Sequence, residues 1–278
     1  MISPQEPRRS RPVVAASMLV DARVRAVPWR DLVRLRPAER LRELLLPIPW
    51  LLMALLAAQR SAWVLALLGS FYFFLAGLRL VHDTFHGNLG LRAWANDVIL
   101  LVLSALMLGS MHAVRLTHLQ HHRECLGPND IEATSARRSA AGALLWGIIF
   151  PIQLHLAALR LAGPRQVRWI VAELALSGGW IAAVLVAEDP LVSYHVGAMA
   201  LGQMLTGFFA VWTVHHDCGR WQQIARTLRH RLKSAVVFNM FYHLEHHLYL
   251  RVPTCHLPTL AERLDQTLRA RPQAGVLR

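Results

Sequence analysis

Residues 62–87 read AWVLALLGSFYFFLAGLRLVHDTFHG, an apolar run that passes directly into a cluster of histidines. The run from Ala62 to Leu80 carries a single charge, Arg79, and is long enough to cross a hydrocarbon core of about 30 Å as a helix. His82 and His86 follow it four residues apart, a spacing that places two side chains on one helix face. The stretch therefore predicts a membrane-spanning helix that leads into a pair of metal-binding side chains.

The composition of the whole chain is typical of a membrane protein. Of its 278 residues, 54% are hydrophobic, and the mean hydropathy is +0.33. The net charge of +13 comes largely from basic flanks, because residues 1–42 hold ten arginines and residues 217–278 hold ten lysines and arginines. Basic flanks around apolar runs are the positive-inside pattern. No nucleic-acid-binding motif accompanies the charge, so we expect no nucleic-acid partner.

Four apolar segments pair into two hairpins. The first hairpin joins Leu41–Ala58 to Ala62–Leu80, and the second joins Val167–Ala187 to Leu191–Val214 through the acidic turn Glu188–Pro190. Basic residues lie mainly outside the hairpins, and the acidic turn belongs on the far side of the membrane. We therefore expect a multi-pass protein of the inner membrane, with both termini and all the histidine clusters on the cytoplasmic side.

Two further apolar segments, Val98–Met111 and Ala140–Leu159, are short for spans. If Val98–Met111 crossed the membrane alone, the histidines on its two sides would lie on opposite faces, so we expect both segments to be re-entrant or interfacial helices. The predicted fold is an all-α integral membrane protein with about four transmembrane helices. Its expected divisions are a basic cytoplasmic segment (1–42), a membrane-embedded catalytic domain (43–262) and a C-terminal tail (263–278).

Three short clusters contain eight histidines at helical spacing: HDTFH at 82–86, HLQHH at 118–122 and HLEHH at 243–247. Imidazoles at positions i, i+3 and i+4 lie close together on a helix. A zinc ion takes three or four protein ligands, so eight imidazoles indicate two metal ions. Two six-coordinate iron ions can bind eight imidazoles, whereas zinc would leave several of them unbound, so iron is favoured over zinc. The predicted ligands are His82, His86, His118, His121, His122, His243, His246 and His247.

Four other polar residues are candidates for roles at the metal site. His215 and His216 follow the last apolar segment, and we expect one of them to be a ninth ligand because adjacent helical side chains diverge by about 100°. Asp83 would either orient a neighbouring imidazole or cap its helix. Asn239 precedes His243 by one helical turn, so it would bind metal through water, hydrogen-bond a ligand, or be an ordinary surface residue.

The remaining histidines and the cysteines show no clustering. We expect structural roles for the isolated histidines, with His112 left open because it lies six residues before His118. The three cysteines are far apart in sequence, so they predict no disulfide framework and receive no role. The isolated residues are His112, His155, His195, His230, His256, Cys125, Cys218 and Cys255.

With these motifs the chain resembles the membrane fatty acid desaturase superfamily, which includes acyl desaturases, carotenoid ketolases and hydroxylases, and alkane monooxygenases. The resemblance rests on HDTFHG at 82–87, THLQHHR at 117–123 and FNMFYHLEHHLY at 238–249, followed by Val252-Pro253 and Leu257-Pro258. It extends over roughly residues 45–262. Three boxes in this order, with apolar runs between them, are highly specific.

The resemblance implies a four-span helical protein with a cytoplasmic site for two iron ions, held by the eight box histidines and either His215 or His216. It also implies that dioxygen is a co-substrate and that a separate carrier, such as a ferredoxin-like protein, supplies two electrons. The basic stretch Arg220–Lys233 would either attract such an acidic carrier or face lipid headgroups, and the second interpretation is favoured.

The favoured function is oxygen-dependent desaturation of the acyl chain of a membrane lipid. A lipid hydroxylase and a carotenoid ketolase or hydroxylase are alternatives within the same superfamily. From other classes, a zinc-dependent membrane hydrolase, a metal-binding receptor or a non-catalytic scaffold would also carry metal-binding histidines.

Overall fold

A computed structural model describes residues 21–218 and 224–269, and within these ranges all regular secondary structure is helical. This confirms the predicted all-α fold. Short turns of other helix types lie at Arg30–Val33 and Thr254–His256 (both 3-10) and at Gly207–Trp212 (π), the last followed by an α-helical turn at Thr213–His215. The α-helices are α1 (Ala22–Arg25), α2 (Pro37–Leu45), α3 (Ile48–Gln59), α4 (Trp63–Phe85), α5 (Ala93–Met107), α6 (Met111–Glu124), α7 (Ala133–Ala136), α8 (Ala140–Trp146), α9 (Phe150–Leu161), α10 (Pro164–Ala187), α11 (Pro190–Thr206), α12 (Arg231–Val236), α13 (His243–Leu248) and α14 (Leu257–Arg269).

Among the described residues, four helical stretches are long and apolar enough to cross a membrane: Pro37–Gln59, Trp63–Phe85, Pro164–Ala187 and Pro190–His215. They are the two predicted hairpins. The second stretch continues past its predicted end at Leu80, so the first histidine box lies on the spanning helix itself. A box on a continuous helix has a fixed position relative to the membrane.

The first hairpin packs closely because a small residue lies at the contact. A Cβ added to Gly69 on α4 would lie 2.7 Å from the backbone nitrogen of Ala54 on α3. Small residues let transmembrane helices approach at backbone distance, where packing rather than hydrophobicity holds them together. Ser61, in the left-handed conformation at φ 54°, makes the turn between the two helices.

The two shorter apolar segments are bent pairs of helices, so neither is one straight span. α5 and α6 meet at 110°, and α8 and α9 meet at 67°. At the first bend Leu108 adopts a left-handed conformation, and Ser110 caps α6 by accepting a hydrogen bond from the Ala113 amide. The bend directs the second histidine box away from the path of α5.

A buried carboxylate from a membrane span holds this bend in place. Glu173 on α10 is fully buried and accepts hydrogen bonds from the Ser110 hydroxyl (2.5 Å) and the His112 amide (3.1 Å). The Nδ1 atom of His112 lies 2.6 Å from the same carboxylate. His112, which the sequence left open, therefore serves to anchor the start of α6.

We expect Glu173→Ala to destabilise the protein by about 3 kcal/mol, because it leaves several buried donors unsatisfied. Thermal unfolding in detergent measures the effect, with Glu188→Ala at the exposed hairpin turn as the control. An unchanged melting temperature for the Glu173 variant would show that α6 does not need this anchor.

The segment before the first span packs onto the end of the chain. Val24, Val27 and Leu32 share a hydrophobic cluster with Tyr249 and Leu260. The predicted divisions at residues 42 and 262 fall inside α2 and α14. The N-terminal stretch 1–20 and the end of the predicted tail, 270–278, lie outside the described residues.

Candidate metal centre

The three histidine boxes lie on the ends of three helices that converge. The first box occupies the last turn of α4, where His82 lies within the helix and His86 is its C-terminal cap. The second box lies on the last turns of α6, and the third forms most of the short helix α13. Helix ends that meet at one point bring side chains from distant parts of the sequence within reach of each other.

Five imidazoles converge on one point, which we name site 1: the potential ligand atoms of His82, His86, His118, His122 and His246 lie within 4.8 Å of one another. The His122 Nε2 atom lies 3.0 Å from that of His118 and 3.0 Å from that of His246. The His86 and His118 Nε2 atoms are 3.2 Å apart. All three boxes contribute to site 1.

A second group, named site 2, forms beside it from His121, His215, His243 and His247. The His215 Nε2 atom lies 2.9 Å from that of His243 and 3.1 Å from that of His121, and the His243 and His247 Nε2 atoms are 3.2 Å apart. The thiol of Cys125 belongs to the same cluster of potential ligand atoms as His121, His215 and His247.

Helical geometry accounts for how each box is divided between the sites. Residues i and i+4 are offset by about 40° around a helix, whereas residue i+3 is offset by about 60° in the other direction. In the second box His118 and His122 face site 1, and His121 faces site 2. In the third box the i, i+4 pair, His243 and His247, faces site 2, and His246 faces site 1.

The spacing of the nitrogens fits metal coordination. Metal–imidazole bonds of about 2.0–2.1 Å hold neighbouring ligand nitrogens roughly 2.8–3.4 Å apart, and the Nε2 distances in both sites fall in this range. The His82 Nε2 atom is buried and has no hydrogen-bond partner among the described residues. A buried nitrogen without a partner is costly unless a bound metal takes up its lone pair.

Partners of the other ring nitrogen orient several of these imidazoles. The Nδ1 atom of His121 lies 2.8 Å from the Asp130 carboxylate, that of His118 lies 3.3 Å from Glu132, and that of His215 lies 2.9 Å from the Ile224 carbonyl oxygen. Such a partner fixes the proton on Nδ1 and leaves the Nε2 lone pair directed into the site.

The environment keeps the third box uncharged. Burial lowers the pKa of His243, His246 and His247 well below the usual range, and the neighbouring imidazoles lower it further. Burial also lowers the pKa of His86 to about 4. Neutral imidazole is the form that binds metal, so these side chains are prepared for coordination at neutral pH.

An apolar cavity of about 220 Å³ opens onto both sites. Its polar end includes imidazoles of both sites: His82, His118 and His246 of site 1, and His215 and His243 of site 2. The cavity follows α4 back to Phe71, eleven residues before His82, which corresponds to about 16 Å along the helix. It therefore leads from the histidines toward the interior of the transmembrane helices.

A sequence model of the family named fatty acid desaturase matches residues 58–274, most of the chain. The chain belongs to the fatty acid desaturase family. Comparisons with curated proteins and with solved structures gave no match. Membership agrees with the resemblance drawn from the histidine boxes, and it establishes an enzyme family of the oxidoreductase type.

In this desaturase-family chain, His215 lies in site 2 and His216 lies outside both sites. The His216 ring stacks on Trp212 with centroids 3.9 Å apart, and its Nδ1 atom lies 2.8 Å from the Trp212 carbonyl oxygen. The helix ends at His215, and the extended conformation of His216 turns its side chain away. Of the two candidates for a ninth ligand, the geometry places only His215 among the imidazoles.

Asp83 and Asn239 differ from their sequence interpretation. The Asp83 carboxylate accepts hydrogen bonds from the Thr254 amide and hydroxyl, so it fixes the segment after the third box and contacts no imidazole. Asn239 lies in a left-handed turn at φ 62°, before α13 begins at His243. The assumption that Asn239 and His243 share a helix face was wrong, because α12 ends at Val236.

Sequence reasoning missed the two carboxylates that orient the second box. Asp130 and Glu132 lie in the loop after α6, where spacing within a helix predicts no contact with the box. Burial raises the pKa of Glu132 to about 7. Two acidic residues eight and ten positions after the last histidine of a box, in a chain with only 17 Asp and Glu residues, were the available signal.

We expect Asp130→Asn to weaken metal binding at site 2 by about 10–100-fold, because loss of a carboxylate partner lowers the basicity of a ligand imidazole. Metal retention during dialysis against a chelator measures the loss. Glu124→Gln is the matched control, since Glu124 contacts Gln120 on the same helix and no imidazole. Equal retention by the two variants would contradict a role for Asp130.

Three isolated histidines have partners away from both sites. His155 lies near the Ser110 amide, His195 near the Leu106 carbonyl oxygen, and His256 near the Leu32 carbonyl oxygen. Each joins separate helices or segments, in keeping with a structural role.

Proposed function

We propose that this protein is a di-iron, oxygen-dependent desaturase that introduces a double bond into the acyl chain of a membrane lipid. The observation that carries the proposal is the apolar cavity whose polar end consists of imidazoles from both sites. An alkyl chain lying in this cavity would present its carbon atoms to both sites. Family membership supports oxidative chemistry on such a chain.

Nine histidines would hold the two iron ions. Site 1 offers His82, His86, His118, His122 and His246, and site 2 offers His121, His215, His243 and His247. Bound iron would supply the power to oxidise an unactivated C–H bond, which no amino-acid side chain provides. Desaturation removes two hydrogens from adjacent carbons and, with two electrons and two protons, reduces one dioxygen to two water molecules.

The chain's own residues would bind and align the substrate. The apolar wall next to the imidazoles includes Leu78 and Val81 on α4 and Val214, the residue before His215. Such a wall favours an alkyl chain over water by roughly 25 cal/mol for each Å² of apolar surface buried. Exclusion of water also limits side reactions of the activated site.

We place the histidine sites at the cytoplasmic face of the inner membrane. Arg60 is the only basic residue in the turn of the first hairpin, and the turn of the second is acidic, in keeping with the positive-inside pattern. From this face an acidic, ferredoxin-like carrier would deliver electrons. Part of the basic stretch Arg220–Lys233, residues 220–223, lies outside the described residues.

Expression with a ferredoxin and its reductase, followed by mass spectrometry of the lipids, tests the proposal. A product lacking two hydrogens identifies a desaturase, whereas a product with one added oxygen identifies a hydroxylase, and a ketone on a carotenoid identifies a ketolase. His121→Ala should abolish the new product. Metal analysis should give about two iron ions per chain; one zinc and no iron would overturn the proposal in favour of a hydrolase or receptor.

A further inference from the structure

A second pocket is bordered by His86 and shares no lining residue with the apolar cavity. It has a volume of about 410 Å³ and a polar wall that includes Arg34, Arg40, Arg251 and Asn88. His86 is the one member of sites 1 and 2 that borders it. We name it the arginine pocket. Its volume lies within the range of small-molecule binding sites.

The three arginines of this pocket lack the partners that other arginines near the sites possess. Arg79 pairs with Glu43, and Arg229 pairs with Glu245. Within residues 21–218 and 224–269, no carboxylate forms an ion pair with Arg34, Arg40 or Arg251, and the buried Nε atom of Arg40 has no hydrogen-bond partner. Three unpaired guanidinium groups around one space form a site for an anion.

The fold brings these arginines together from distant segments. Arg34 precedes the first span and Arg40 lies in its first turn, whereas Arg251 follows the third box. Asn88, two residues after the first box, holds the segment of Arg251, because its side-chain amide donates hydrogen bonds to the carbonyl oxygens of Leu250 and Val252. These tertiary contacts make the pocket a constructed site rather than a run of basic sequence.

A glycine keeps the pocket open beside the first box. Gly90 adopts φ +63°, and a Cβ added there would lie 3.3 Å from a terminal nitrogen of Arg40. Any side chain at this position would be strained and would crowd that guanidinium group.

The position of the pocket indicates the kind of anion. The first span begins at Pro37 and the second ends at Phe85, so Arg34, Arg40 and His86 lie at the end of the spans where lipid phosphates are found. Arginine binds phosphate through paired, charge-assisted hydrogen bonds. Basic pockets at this level of a membrane protein bind anionic headgroups.

We propose that the arginine pocket binds a phosphate group carried by the acyl substrate, with Arg34, Arg40 and Arg251 as its contacts. The link to the substrate rests on the proposed desaturase function; the phosphate site itself does not. The phosphate belongs either to the headgroup of a membrane phospholipid or to the soluble carrier of an acyl thioester. In both cases the pocket would hold the polar end of the substrate beside His86.

The direct test uses iron-loaded protein in dodecyl maltoside, a detergent that contains no phosphate, and titrates it with sn-glycerol 3-phosphate in a calorimeter. The triple variant Arg34→Gln/Arg40→Gln/Arg251→Gln should bind at least about tenfold more weakly than the wild type. The control variant Arg60→Gln/Arg160→Gln/Arg168→Gln removes the same charge at exposed positions and should bind as the wild type does. The proposal is overturned if the triple variant binds sn-glycerol 3-phosphate as tightly as the wild type does. It is also overturned if the wild type binds uncharged glycerol as tightly as sn-glycerol 3-phosphate.

Turnover measurements then identify the source of the phosphate. If the triple variant has a higher KM than the wild type only for acyl phospholipid, the site binds a lipid headgroup. If its KM is higher only for acyl coenzyme A, the site binds a soluble carrier. If the triple variant binds phosphate as the wild type does but is reduced more slowly by ferredoxin, the arginines form a docking surface for the electron carrier and the proposal is refuted. If phosphate binding depends on the arginines but no product forms, the phosphate site stands and the desaturase function fails.

Discussion

Replacing His215 with alanine is expected to lower the iron content from about two ions to about one per chain and to reduce activity at least about 100-fold. The His215 Nε2 atom lies 2.9 Å from that of His243 and 3.1 Å from that of His121, so its loss removes one of four imidazoles from site 2. Site 1 keeps all five of its imidazoles.

His216→Ala is the matched control, because the two residues are adjacent and chemically identical. His216 stacks on Trp212 and also contacts Arg226, away from both sites. We expect the His216→Ala variant to keep both iron ions and to have activity within about twofold of the wild type, as is usual for a surface substitution. Iron analysis and product formation measured on both variants decide the matter; iron loss from the His216 variant alone would reverse the assignment.

Replacing Leu78 with tryptophan is expected to abolish product formation while both iron ions stay bound. Leu78 lines the apolar cavity one helical turn before His82, so an indole there would occupy the space next to the imidazoles. The change adds bulk at a cavity wall, and overpacking costs about 1–3 kcal/mol in stability, which is compatible with a folded protein.

Leu67→Trp controls for the added bulk, because Leu67 lies on the same helix with 54% of its surface exposed. It should retain activity, since its side chain faces away from the cavity. Metal content, thermal unfolding and lipid products are measured for both variants. A folded, iron-containing Leu78 variant that desaturates at the wild-type rate would show that the substrate does not lie in this cavity.

Local features of the sequence were sufficient to predict the spans and the boxes. Hydropathy identifies a span because an isolated helix in lipid must be apolar along its whole length. The spacing in HLQHH and HLEHH indicates candidate ligands because three- and four-residue intervals bring side chains together on a helix. The first box also followed its span directly, so its place at the membrane face was predictable.

Contacts between distant segments were not predictable in this way. The carboxylates of Asp130 and Glu132 reach the second box through a loop whose path depends on packing. The helix boundary between Val236 and His243 removed Asn239 from the face of the third box. The bend anchored by Glu173 depends on a hydrogen bond between residues that are 63 positions apart in sequence.

Hydropathy and helical period are properties of neighbouring residues, so they were enough to predict a helical membrane protein with eight clustered imidazoles. Tertiary structure adds the arrangement of those imidazoles and of the space around them. It divides the imidazoles into two groups, places His215 but not His216 among them, and lines the apolar cavity and the arginine pocket with different histidines of site 1. Each of these features depends on the angles at which separate helices meet, and those angles are not a property of neighbouring residues.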